Sequence, residues 1–149
     1  MTYFLDFYGT LFDTDAFERY DRTRAPGDYL PGELSQFLYP DVHGFLIDKG
    51  NSAMVITSAS EREFGAIVKS ALYGIPRIAV IYTSNVPKGD YLEPHIDMYG
   101  QTPVFVDDSV SQLANMATRC PNVHVHEMRR DNKGADGRWP IVTALPQLP

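Results

Sequence analysis

The chain holds one cysteine, Cys120, and four histidines among its 149 residues. A single thiol cannot form an internal disulfide, and His43, His95, His124 and His126 follow no metal-ligand spacing. Cys120 reads as a small buried side chain. Long apolar runs are missing, and none approaches the roughly 18 residues that suggest a membrane span. The start, MTYFLDF, has neither the basic segment nor the extended apolar stretch of a secretory leader. Basic charge is in deficit, with 13 Lys and Arg against 19 Asp and Glu. That balance argues against general coating of nucleic acid or of an anionic membrane, though it leaves room for a local basic patch. Repeats and low-complexity tracts are also lacking. These absences leave a soluble, cytoplasmic, globular protein, and the length suits one domain over 1–149 with a core of ordinary size.

Hydrophobicity comes in short runs: YFLDFY (3–8), SAMVIT (52–57), RIAVIYT (77–83), PVFVDD (103–108) and VHVHEM (123–128). Several are nearly continuous rather than alternating, as in strands covered on both faces. Helical patterns lie between them. Over 60–74, Phe64, Ile67, Val68, Ala71 and Leu72 form one stripe; Ser60 can cap it, with Glu63 three residues on, and Gly74 is placed to end it. The pattern over 88–100 is weaker and is interrupted by Pro94. Over 109–119, Val110, Leu113, Ala114 and Ala117 share a side. Region 33–50 carries one or two helical turns. Alternating strands and helices predict parallel strands with right-handed crossovers, hence an α/β three-layer sandwich. Residues 9–32 read as a loop region and 129–149 as a C-terminal loop and tail, with WPIVTAL apolar enough to dock on the body.

In open parallel sheets, sites form outside the carboxyl ends of the strands. The first run ends at Asp6 and Tyr8, the second at Thr57 and Ser58, and the fourth at Asp107 and Asp108. The third leads to Lys88. Two acidic strand ends, a hydroxyl pair and a lysine suit phosphoryl transfer. A carboxylate can act as nucleophile, clustered carboxylates call for a hard cation such as Mg²⁺, and a lysine can neutralise developing charge.

DFYGTLFD (6–13), Thr57 after MVI, Lys88 and VFVDDS (104–109) resemble the four ordered motifs of the haloacid dehalogenase-like hydrolase superfamily. The resemblance spans residue 3 to about residue 113. It implies a Rossmann-like sheet of five, mainly parallel, strands, with a turn and flap over 9–20. It also implies Asp6 as nucleophile and metal ligand, the Tyr8 carbonyl as a further metal ligand, and Thr57 as the phosphate-holding hydroxyl. Ser58, Gly9 and Thr10 would lie beside the substrate, Lys88 would stabilise, and Asp108 with Asp107 would complete the Mg²⁺ site. Gln112 departs from the pattern, which often has Asp or Asn there.

Tyr8 departs further. Phosphatases of this superfamily usually carry there a second aspartate that protonates the leaving group and then activates water. A phenol with an ordinary pKa of about 10 is a poor base at neutral pH. Three readings follow: a phosphohydrolase that is slow on poor leaving groups, a non-catalytic phosphate- or partner-binding protein, or a metal-free dehalogenase-like enzyme. The third fits poorly, because 9–52 is short and polar for a helical cap and a metal-free site gains nothing from paired acids. The implied partner is a phosphorylated substrate, small or macromolecular, reached through an open site without a large cap. Arg19, Arg22 and Arg24, and Arg129, Arg130, Lys133 and Arg138, form either salt-bridged faces or a basic rim for such an anion. Only through that rim would nucleic acid bind. Tyr20, Tyr29, Phe37 and Tyr39 read as core and rim packing.

Overall fold

The computed structural model describes residues 1–131 and 137–149. Six strands, β1 (Tyr3–Leu5), β2 (Ala53–Thr57), β3 (Ala79–Tyr82), β4 (Val104–Asp107), β5 (His124–Met128) and β6 (Ile141–Val142), form one sheet. Their order is β3-β2-β1-β4-β5-β6, and every neighbouring pair is parallel. The expected α/β sandwich is present. The strand count is corrected from five to six, because WPIVTAL supplies β6. Two residues are too short to carry a periodicity, so only the pairing of Glu127 with Ile141 and Met128 with Val142 makes them a strand.

Five helices flank the sheet: α1 (Thr14–Thr23), α2 (Val42–Lys49), α3 (Glu61–Ala71), α4 (Lys88–Leu92) and α5 (Val110–Arg119). Ser60 and Ser109 cap α3 and α5, each accepting an N–H from three residues on (Glu63 and Gln112). Past Leu92, Glu93–Tyr99 tightens into a 3-10 helix with Pro94 in its first turn. Helix α3 ends at Ala71, with Leu72 rather than Gly74 as its capping residue. Phe64 is 36% exposed, so it lies at the margin of the predicted stripe rather than in the core.

The loop expected over 9–32 contains α1. Asp13 caps it, its carboxylate accepting the N–H of Ala16. Only Phe17 of this helix is fully buried, which is why a charge-rich segment showed so little apolar period. After α1, Glu33 accepts from the Tyr20 hydroxyl at 2.6 Å, the Leu30 N–H and both ends of the Arg24 guanidinium. Arg24 is thus a fastener of this segment.

Alternation along β1 sends Phe4 to one face of the sheet and Tyr3 and Leu5 to the other. Phe4 packs with Leu92 of α4 and with Leu113 and Met116 of α5. Tyr3, Leu5 and Phe7 pack with residues of α1, α2 and α3, among them Phe17, Phe45 and Val68. The chain builds outward from β1 to β3, then returns to begin again at β4. The strand order therefore reverses between β1 and β4, and a crevice opens there at their carboxyl ends. Among the described residues no helix is long and apolar enough to cross a membrane.

Candidate active site

Asp6 and Asp107 follow from register. Leu5 sits opposite Val106, so the next residue on each strand emerges side by side at the crevice, and the Asp6 N–H donates to the Val106 carbonyl. Lys88 comes from the first turn of α4, and its Nζ donates to Asp6 Oδ1 at 2.7 Å and to Asp107 Oδ2 at 2.6 Å. All three side chains are almost wholly removed from water. The other Asp6 oxygen accepts the Thr10 hydroxyl at 3.1 Å, and Asp107 also accepts the Ser109 N–H.

Asp108 completes the group. One oxygen from each of Asp6, Asp107 and Asp108 lies within 4.8 Å of the others. Gly9 is what allows Asp108 its place: it has φ +80°, and a Cβ there would stand 2.2 Å from Asp108 Oδ2.

Two loops position the lysine. The loop after β3 is tied to the loop after β2 by N–H donation from Thr83 to Thr57, Ser84 to Ala59 and Asn85 to Ser58. Ser84 and Asn85 both have positive φ, a conformation held by those bonds. On the far side, Gln112 of α5 accepts the Lys88 N–H at 3.0 Å, and Asn115 exchanges hydrogen bonds with Asp90. Gly89 permits this closeness, since a Cβ there would lie 2.7 Å from the Asn115 carbonyl. Gln112, out of pattern in the sequence, thus has a defined role in holding the first turn of α4.

The electrostatics follow from burial. Desolvation pushes Asp6 up to about 6, with the Lys88 charge pulling back and Asp108 adding to the rise. Asp107 is pushed up to about 7, by burial first and then by Asp6. Asp108 is also raised, chiefly by burial. Burial works against the charged form of Lys88, but the two carboxylates outweigh it and leave the ammonium harder to deprotonate than usual.

Thr57 ends β2 at the same edge and is buried; its hydroxyl accepts the Ala59 N–H at 3.3 Å. Ser58 follows it with its carbonyl in the loop-to-loop tie. The mouth of the crevice is lined by Gly9, Asp15, Tyr39 and Asp108, with Tyr8 and Asp13 on one side and Arg129 and Arg130 on the other. Asp13 closes the DFYGTLFD stretch but carried no assigned role, and Asp15 lies outside every motif; only the capping position of Asp13 marks where they fall.

Tyr8 behaves differently from its neighbours. Its ring packs against Phe7, Phe12 and Phe64, and its hydroxyl is buried without a hydrogen-bond partner among the described residues. Burial first, then Tyr82 and Tyr29, push the phenol well above its ordinary range. Tyr8→Phe is therefore expected to leave any turnover unchanged and to keep or slightly raise thermal stability, because it removes an unsatisfied buried hydroxyl. A tenfold loss of rate would instead show that the phenol takes part in the chemistry.

The basic rim also reads differently in three dimensions. Arg129 pairs with Glu127 and donates to the Asp108 carbonyl. Arg130 donates to the Thr10 carbonyl at 2.9 Å and to Asp41 at 2.7 Å, and stacks on Tyr39. Arg130 is a largely buried fastener that ties the turn after β1 to the C-terminal segment, through Thr10 and Thr143, while Arg129 ties the end of β5 to the loop after β4. Arg19 and Arg22 are exposed, and Lys133 lies outside the described residues. No family model, curated protein or solved structure matches this chain.

Proposed function

We propose that the protein is a Mg²⁺-dependent phosphohydrolase that works through a phosphoryl group carried on Asp6. The observation that carries this reading is the cluster of Asp6, Asp107 and the half-buried Asp108, with Lys88 bridging the first two, at the strand-order reversal. Three carboxylates against one ammonium leave two negative charges in a poorly solvated place, and all donors are hard oxygens. That set fits a divalent magnesium ion, held by Asp6, Asp107, Asp108 and the Tyr8 carbonyl. Bound there, the ion would offset the negative charge of the phosphate.

The chain's own residues account for the rest. Thr10 and Lys88 hold the Asp6 carboxylate, leaving it to attack phosphorus as the bond to the leaving oxygen breaks. Lys88 neutralises charge on the nucleophile, while Thr57, Ser58 and the backbone at Gly9 and Thr10 face the transferring group. Water then attacks phosphorus, releasing inorganic phosphate and restoring Asp6. The leaving oxygen takes its proton from solvent, since the Tyr8 phenol is packed among aromatic rings and burial holds it well above its ordinary range. Turnover should thus be fastest on activated esters and slow on alkyl phosphates.

That same packing of Tyr8 favours, as a second reading, a phosphate-binding protein with little turnover. Dehalogenation without a metal is disfavoured by the surplus of buried negative charge. A screen of phosphate esters with and without Mg²⁺ tests the proposal. Asp6→Asn is expected to lower the rate by about 10⁴-fold or more; equal activity in the variant would remove the nucleophile assignment.

A further inference from the structure

The two edges of the sheet are built differently. Strand β6 is two residues long and follows Pro140, which cannot donate to a neighbouring strand. Strand β3 is twice that length, AVIY, with neither a charge nor a proline to discourage pairing, and no described strand lies along its outer side. Beside it runs a groove of about 510 Å³ between β3 and α3, with Val68, Leu72, Tyr73, Ile78, Val80 and Tyr82 along it. Tyr73 is 69% exposed, and none of the four strand residues is fully buried. Glu61 and Lys69 also border the groove, one in the first turn of α3 and the other in its last.

We propose that this edge is the interface of a homodimer, in which β3 pairs antiparallel with β3 of a second copy. A two-fold axis normal to the sheet is the operation that pairs identical edges antiparallel and keeps both α3 helices on the same face. The two helices then run in opposite directions across the junction. Glu61 of each copy faces Lys69 of the other, so the charge pattern is self-complementary under that operation and under no parallel pairing. The grooves meet along the axis, and the half-covered Val80 and Tyr82 gain cover from their symmetry mates. The sheet becomes continuous over twelve strands, with the short β6 edges outermost. This inference does not depend on the proposed chemistry.

Sedimentation velocity over the micromolar range tests it. The wild-type chain is expected to show a concentration-dependent dimer. Glu61→Lys or Lys69→Glu alone should weaken dimerisation on the order of tenfold, because each removes two symmetric ion pairs and introduces two repulsions. The double variant Glu61→Lys/Lys69→Glu should restore the wild-type dissociation constant to within a few-fold. Both positions are exposed, and circular dichroism is expected to be unchanged throughout. A wild-type chain that stays monomeric, or a dimer indifferent to either single reversal, overturns the proposal. So does a double variant no tighter than the singles.

Discussion

Lys88→Met is expected to cost about 3–5 kcal/mol of stability at pH 8, and to abolish any turnover. The lysine side chain is 2% exposed and joins two carboxylates that are themselves buried. Methionine fills a similar volume but leaves Asp6 and Asp107 without their cation. At 149 residues, a loss of that size lowers Tm by roughly 10 °C. The cost should shrink at pH 5. There both acids can take up protons, since their folded values already lie at about 6 and about 7 with the lysine in place and rise further without it. Thermal melts of wild type and variant at the two pH values check this. A loss below about 1 kcal/mol at pH 8, against the range given for a broken buried pair, would mean that the lysine does not hold the acids together.

Metal-free protein should lose stability as pH rises through the acidic range, and magnesium should restore it. Asp6 and Asp107 move from an ordinary 3.8 to about 6 and about 7 on folding. Between those values the folded chain binds more protons than the unfolded one, so the free energy of unfolding falls with rising pH. The loss is complete once pH has passed the higher folded value. Without a cation the clustered acids therefore oppose folding at pH 8, where burial and mutual repulsion act on their charged forms. A cation that binds the deprotonated acids at a hundred times its Kd adds about 2.7 kcal/mol. Because it competes with protons, the rise in Tm with Mg²⁺ is expected to be largest at pH 8 and small at pH 5. Asp108→Asn should remove most of that rise, since Asp108 supplies one of the three clustered oxygens while Lys88 bonds to the other two acids. Equal stabilisation at both pH values, or in the variant, would place the ion elsewhere.

Where these charges gather was legible in the sequence because each ends a strand or opens the helix that follows one. Asp6 and Asp107 sit on continuously apolar runs, and a parallel register carries the ends of such runs to one edge. Lys88 was legible by its place in the order, but its burial was not. That depends on Gln112 and Asn115 reaching from α5 and on Gly89 allowing the two helices to touch, contacts between segments more than 20 residues apart. Helix α1 was hidden because one buried phenylalanine in ten residues makes no stripe. Strand β6 was hidden because two residues have no period, and its pairing is set by β5. Arg129 and Arg130 read as part of a salt-bridged face or a rim, both at the surface, since charge invites an exposed reading; the pairing is present, but the partners that half-bury them, Asp41, Thr10 and Glu127, come from three different segments. Tyr8 was the clearest departure, yet only the packing of Phe7, Phe12 and Phe64 shows that its phenol ring is enclosed by aromatic side chains.

Asp6 as the nucleophile is tested most directly by rapid quench of the protein with a radiolabelled activated phosphate ester, followed by peptide mapping. Acid-stable, hydroxylamine-labile label is expected on the peptide containing Asp6, dependent on Mg²⁺ and missing in Asp6→Asn. Phosphate release that persists in Asp6→Asn, label on any other residue, or no reaction with any ester in the presence of Mg²⁺ would contradict it.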